Sequence, residues 1–398
     1  MPSPAPDPII DPEALAHSRR LAAVTRDAIE AAGGRLTFDR FMDLALYAPG
    51  LGYYAAGAQK LGPAGDFVTA PEISPLFGRC LAEPCARVLE TLGGGELLEF
   101  GAGTGTLAAE LLVALAARGQ APQRYLILEP SPELAARQRA TLNARVAELA
   151  ERVHWLDRLP AGLRGVVVAN EVLDALPVHR FCTAAAGVVE EVFVEARGDG
   201  FGACTGTPVT AGLADAVARL HAAELATAPG YCSEINLRAE AWVRALAGSL
   251  NAGLALLIDY GYPRGEYYLP ERSAGTLMCH HRHQAHPDPF VNIGLQDITA
   301  HVDFTAVAEA GTAAGLTLAG YTTQAGFLID CGIDRLLAET AAGDPGAMLA
   351  LAAGAKQLLL PSLMGERFQV LGLGRGLPAD LLDGGLTGLR QPDLRDRL

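Results

Sequence analysis

The segment LLEFGAGTGTLAAELL, residues 97–112, constrains this chain more than any other stretch. Apolar residues run up to Phe100, glycines follow at Gly101, Gly103 and Gly105, and a helical pattern begins at Thr106. A buried strand that turns through glycines straight into a helix is the opening unit of a doubly wound α/β sheet. Glycine permits positive φ and lets a ligand lie against the backbone. The helix N-terminus behind it offers N–H groups and about half a positive charge.

The chain continues in the same mode. ELLEF precedes a helix over 106–118 and YLILE precedes one over 132–149; further strand signals follow at VHWL, GVVVAN, GLALLID, LTLAGYT and RFQVLGLG. Short apolar runs separated by helices predict a parallel sheet covered on both faces. About 80 residues separate the fourth and fifth strands, far more than one helix and two loops need. An insertion over 179–233 is expected there, with VVEEVFVEA alternating like an antiparallel strand, and a second over 260–301. Ahead of the sheet, helices over 12–32 and 38–47 and a loop rich in glycine and aromatics form a helical extension over 1–95. Thr69 with Glu72 is spaced as a capping box, while Ser74 before Pro75 marks an alternative helix start.

With 398 residues, 50% of them hydrophobic, the chain can bury a large core. Its formal net charge of −14 repels phosphate backbones, which argues against a nucleic-acid partner. The cysteines (Cys80, Cys85, Cys182, Cys204, Cys232, Cys279, Cys331) are odd in number and lack CxxC pairing, so reduced thiols of a cytoplasmic protein are expected. The N-terminus shows no signal-peptide pattern, and no apolar stretch approaches the roughly 20 residues that span a bilayer. Membrane insertion is therefore not expected. Lys60 and Lys356 are the only lysines, a bias expected of a GC-rich bacterial genome.

A dinucleotide-binding turn places its third glycine one residue later, where Thr106 stands. The GxGxG spacing with Glu99 before it resembles instead the ExGxGxG motif of S-adenosylmethionine-dependent methyltransferases. Glu129, at the end of the second strand, is placed to accept hydrogen bonds from two ribose hydroxyls. The expected cofactor contacts are Glu99, Gly101, Ala102, Gly103, Thr104, Gly105, Glu129 and Asn170, the last a partner for the cofactor's ammonium.

In GVVVANEVLDALPVHRF, Glu171 and Asp174 follow the carboxyl end of a buried strand, the edge where open α/β sheets bind ligands. Three residues apart on a helical turn, they share a face and can converge on one cationic group. The alternative is a solvated helix start, where acidic residues favour the dipole.

Several segments together resemble the MidA family of methyltransferases: YAPGLGYY, GDFVTAPEISPLFG, LLEFGAGTGTL, YLILEPSPEL, ANEVLDALPV, LLIDYGY and GFLIDCGI, spanning residues 47–333. The resemblance implies an α/β fold with a Rossmann-like, seven-stranded class I methyltransferase sheet, here over 96–398, with S-adenosylmethionine as cofactor. Through the family's mitochondrial member it also implies a protein arginine as methyl acceptor, in a subunit of respiratory complex I. Carboxylates hold a planar guanidinium bidentately, which gives Glu171 and Asp174 a catalytic role. An assembly chaperone that binds the cofactor without turnover, and a small-molecule methyltransferase, are the competing readings.

Other residues carry weaker signals. Asp66, Phe67, Glu72 and Ser74 are candidates for a lid over the cofactor, or a loop packed on the sheet. Asp259 and Tyr260 end the fifth strand, lining the acceptor channel or starting a turn. The segment CHHRHQAHPDP matches no common zinc spacing, so no metal is assigned; His281 and His283 are candidates for substrate contact instead.

Overall fold

The computed structural model describes residues 12–56, 69–282 and 284–398. Its central sheet is built from strands buried on both faces, and each face has its own core. Along Leu163–Asn170, Val166 and Val168 enter one apolar cluster while Val167 and Ala169 enter the other. Leu97 and Leu98 divide likewise, as do Leu256 and Leu257. The period of two puts successive side chains on opposite faces, and each fully buried Val or Leu contributes roughly 1.5–3 kcal/mol.

In chain order the strands are β1 (Glu96–Phe100), β2 (Arg124–Leu128), β3 (Val153–Leu156), β4 (Leu163–Asn170), β5 (Leu250–Tyr262), β6 (Thr317–Thr323) and β7 (Phe368–Arg375). Their order across the sheet is β6-β7-β5-β4-β1-β2-β3, with the short strand Val302–Asp303 also paired to β5. The pairs from β3 through β5 are parallel, whereas β7 runs antiparallel to both β5 and β6. The sheet is mostly parallel, as expected, and β7 is the strand whose direction apolar periodicity could not give. Helices Pro75–Leu92 and Thr106–Ala117 contribute to one core, and Leu237–Ser249 with Phe304–Ala313 to the other.

The chain divides into two compact units. The sheet belongs to the one made of the described residues of Gln59–Leu176 with Asn236–Arg272 and His301–Leu398. The other takes the described residues of Met1–Ala58 together with Pro177–Ile235 and Ser273–Ala300, so the first helices associate with the two insertions. A division at residue 95 does not follow this partition, since Pro75–Leu92 packs with the sheet's own helices. Within the second grouping, Val189–Arg197 is the antiparallel strand expected from its alternation; it pairs with Leu36–Thr37, His179–Thr183 and Gly200–Gly206.

One expectation about the thiols is corrected in that same unit. Cys182 and Cys232 face each other across antiparallel strands and are joined as a disulfide, while Cys80, Cys85, Cys204, Cys279 and Cys331 are free. The pair is 50 residues apart in sequence, and only the strand register brings it together. Among the described residues no helix is long and apolar enough to cross a membrane.

Burial reaches one acidic group of the motif. Glu99 is 2% exposed on β1, and the Tyr125 hydroxyl donates to its carboxylate at 2.5 Å. Burial pushes the Glu99 carboxyl up to about 7, against the pull of that hydrogen bond. The folded state therefore holds a proton there that the unfolded state releases, and the stability this contributes is lost as pH rises from about 4.5 to 7. Glu99→Gln keeps an acceptor for Tyr125 and removes the titration. Between pH 5 and pH 8.5, urea unfolding of the unsubstituted protein is expected to lose on the order of 3 kcal/mol relative to the variant. Parallel pH dependences in the two proteins would refute the assignment.

Candidate active site

The carboxyl ends of β1, β2, β4 and β5 form one edge, and the motif residues gather along it. After β1 the chain turns with φ of 59° at Gly101, 52° at Gly103 and 86° at Gly105, and Thr106–Ala117 begins. The turn is closed by the Gly101 amide donating to the Leu128 carbonyl at 3.3 Å and the Gly105 amide to the Ala102 carbonyl at 2.7 Å. A side chain at Gly105 would be doubly excluded: its φ is left-handed, and a Cβ would lie 3.1 Å from the Gln138 Cα. Ala102 is buried, and the Thr104 hydroxyl donates to Glu72 and lies 2.9 Å from the Thr106 hydroxyl.

Gln138 is a residue that sequence reasoning missed. It is fully buried, and its amide nitrogen donates both to the Gly103 carbonyl at 3.1 Å and to Glu129 Oε2 at 2.9 Å. Its oxygen accepts from the Trp155 indole at 2.8 Å, which fixes the amide's orientation. Gln138 thus ties the glycine turn to Glu129. The Ser131 amide donates to Glu129 Oε1 at 2.9 Å. A carboxylate has about four lone-pair positions, so two remain for other donors. Burial raises the Glu129 pKa, opposed by the Ser131 and Gln138 donors. No motif marks a glutamine in mid-helix; only its place on Pro132–Val146, facing the turn, reveals it.

The acidic segment is ordered differently from the expected helical turn. Residues 171–176 form bends and a turn, with Glu171 at φ 54°. That conformation is uncommon for a non-glycine residue and costs about 1–3 kcal/mol, which surrounding contacts must offset. Asp259 supplies them: its Oδ2 accepts from the amides of Val172, Leu173 and Asp174 at 3.1, 2.8 and 3.2 Å. Its Oδ1 accepts from the Tyr260 amide at 2.8 Å. Burial pushes the Asp259 carboxyl up while these four donors pull it down. The charges of Glu171, Asp174 and Asp259, after burial itself, raise the pKa of the Tyr260 hydroxyl, and Arg367 opposes them. The Tyr260 ring lies 3.9 Å from that of Phe368.

Asn170 ends β4 beside this turn. Its amide nitrogen donates to Glu171 at 3.1 Å, and its buried Oδ1 has no hydrogen-bond partner among the described residues. A buried acceptor left open costs about 1–3 kcal/mol unless a ligand satisfies it, and an ammonium does so. Glu99, by contrast, is spent on Tyr125 within the core. Ser74 caps Pro75–Leu92 by accepting from the Leu76 amide at 3.3 Å, so the helix start at Pro75 is the one used; Thr69 makes no side-chain cap. Asp66, Phe67 and His283 lie outside the described residues. His281 belongs to the other unit, with Nδ1 2.8 Å from the Leu295 carbonyl. Among the described residues no group of His, Cys, Asp or Glu is arranged to hold a metal.

Acceptors dominate the sheet edge: Glu129, Asn170 Oδ1, Glu171 and Asp174. Such an edge repels a pyrophosphate and suits a ligand with an ammonium, a ribose and a sulfonium, which defines an S-adenosylmethionine-dependent methyltransferase. Residues 80–322 match the family described as "Putative S-adenosyl-L-methionine-dependent methyltransferase", and the chain belongs to it. A Burkholderia thailandensis protein, crystallised with S-adenosyl-homocysteine bound, is 47% identical with a TM-score of 0.92, covering 98% of this chain and 100% of that one. The mitochondrial protein arginine methyltransferase NDUFAF7 of Mus musculus is 30% identical over 88% of this chain and 83% of its own length. Its Drosophila melanogaster homolog is 29% identical over 88% and 84%.

The residues present fit the cofactor. Glu129 would take the ribose, Asn170 Oδ1 the ammonium, and the glycine turn the tail; bound there, S-adenosylmethionine supplies an electrophilic methyl group on its sulfonium. Glu129→Ala removes a charged acceptor and is expected to weaken S-adenosylhomocysteine binding by about 1.5–3 kcal/mol in calorimetry, roughly ten- to a hundredfold. Gln138→Leu leaves Glu129 in place, held by the Ser131 amide without the Gln138 donor, and a smaller loss is expected. Unchanged affinity in both variants would remove Glu129 from the site.

Proposed function

We propose that the enzyme methylates an arginine of a protein substrate, with Glu171 and Asp174 holding the guanidinium. Guanidinium is planar, charged and a poor nucleophile. Two carboxylates on a rigid turn can grip it bidentately, aim one nitrogen at the methyl group and take up the proton that nitrogen loses. The observation that carries this reading is the turn itself: Glu171 is held at a costly φ of 54° beside Asn170, the residue with the open acceptor. Support comes also from the relatives named as protein arginine methyltransferases. The resemblance to the MidA family makes a respiratory complex I subunit the first acceptor to assay.

Mass spectrometry of cells with and without the enzyme is expected to reveal methylarginine sites that require it. Asp174→Asn keeps size and loses charge. It should leave S-adenosylhomocysteine affinity within about threefold while slowing methyl transfer about a hundredfold, or roughly 2.7 kcal/mol of transition-state stabilisation. If no arginine site depends on the enzyme, or if Asp174→Asn and Glu171→Gln both run at the unsubstituted rate, the arginine reading falls.

A further inference from the structure

Glu171 and Asp174 sit on a turn with no helix of its own to hold it. Its geometry comes from β5. The Glu171 amide donates to the Ile258 carbonyl at 2.9 Å, and the next three amides converge on Asp259 Oδ2. Successive N–H groups closing on one anion form a backbone nest. Asp259 is 1% exposed, and its two oxygens accept from four backbone N–H groups, an arrangement that favours the ionised carboxylate against the cost of burial. Caught between these points, Glu171 takes its left-handed φ. The backbone of Asn170 is placed by the β4–β5 ladder, in register with Ile258, and its side-chain amide donates to Glu171.

We propose that Asp259 is a positioning residue for methyl transfer, whose carboxylate holds the backbone of residues 172–174 so that Glu171 and Asp174 meet the acceptor in one fixed arrangement. This rests on the acidic pair being the acceptor site. Asp259 then acts wholly through the turn: it governs the rate per cofactor-bound molecule and leaves cofactor affinity alone. A buried acid needed only for folding would instead change how many molecules bind cofactor.

The test uses the full chain with Asp259→Asn, Asp174→Asn and the double variant; Asp259→Ser serves as a second, smaller replacement. Calorimetry with S-adenosylhomocysteine counts the competent molecules. Methyl transfer from labelled S-adenosylmethionine into soluble proteins of cells lacking the enzyme gives the rate. Asp259→Asn is expected to bind with a Kd within about threefold of the unsubstituted protein, yet to transfer methyl at least about thirtyfold more slowly per competent molecule. Because both residues act through one turn, the double variant should be within about threefold of the slower single variant. Amide exchange at Val172, Leu173 and Asp174 should quicken in Asp259→Asn.

An unsubstituted rate per competent molecule in both Asp259 variants would overturn the proposal. So would losses that multiply in the double variant, or a rate that falls only in step with the number of competent molecules. A different outcome separates the underlying reading: if Asp174→Asn and Glu171→Gln are silent while Asp259→Asn is slow, the acceptor lies elsewhere and the assigned role falls with it.

Discussion

Parallel pairing of β4 with β5, in the register that sets Asn170 opposite Ile258, is the constraint from which the site follows. β4 ends at Asn170 opposite Ile258 while β5 runs on to Tyr262, so the chain leaving β4 passes Ile258 and Asp259 within hydrogen-bonding reach. Ile258 contributes a carbonyl and Asp259 a carboxylate, and between them the backbone from Glu171 to Asp174 is fixed. The pairing is itself secured by apolar side chains on both faces: Val166 to Ala169 on β4 and Leu254 to Ile258 on β5 are all buried. The edge is thus anchored in a part of the sheet packed on both faces.

Electrostatics makes this edge a place for cationic ligands. Four carboxylates, Glu129, Glu171, Asp174 and Asp259, share it, and burial raises the proton affinity of Glu129 and Asp259. Like charges brought together resist joint ionisation unless a cation offsets them. Arg367 is one such cation at the Tyr260 hydroxyl. A sulfonium, an ammonium and a cationic acceptor would add positive charge where the edge is most acidic. Overall charge of −14 carries none of this information, because it reports the whole surface and not one cleft.

The glycine turn, the strands on either side and Glu129 were legible because each is a local pattern: β1 is ELLEF and Thr106 opens its helix, as read. Ser74 was legible as a cap for the same reason, with Pro75 beside it. What escaped is non-local. The reversal of β7 depends on where the chain returns to the sheet, and the Cys182–Cys232 pair on strand register. The helical turn expected at Glu171 failed because a carboxylate from 85 or more residues away offers the 172–174 amides a better partner than their own helix would. Gln138 looks in sequence like any polar helix residue, and only burial against the turn and Trp155 gives it a role.

The same device serves both halves of the site: one buried polar side chain reaches across from a neighbouring element and fixes a functional backbone or carboxylate. Gln138 does this for the glycine turn and Glu129, and Asp259 does it for the acidic turn. The two supports lie on different elements, one after β2 and one on β5, and share no hydrogen bond among those that fix them. Under the proposed roles, Glu129 and the acidic turn are then held by separate supports, with the Asn170–Glu171 hydrogen bond joining the two halves. A sheet of this kind can keep its methyl donor while the turn after β4 changes to suit another acceptor. Donor binding is accordingly the property that relatives at modest identity share most safely, and under the proposed function the acceptor would be decided by a few residues around Glu171, Asp174 and Tyr260.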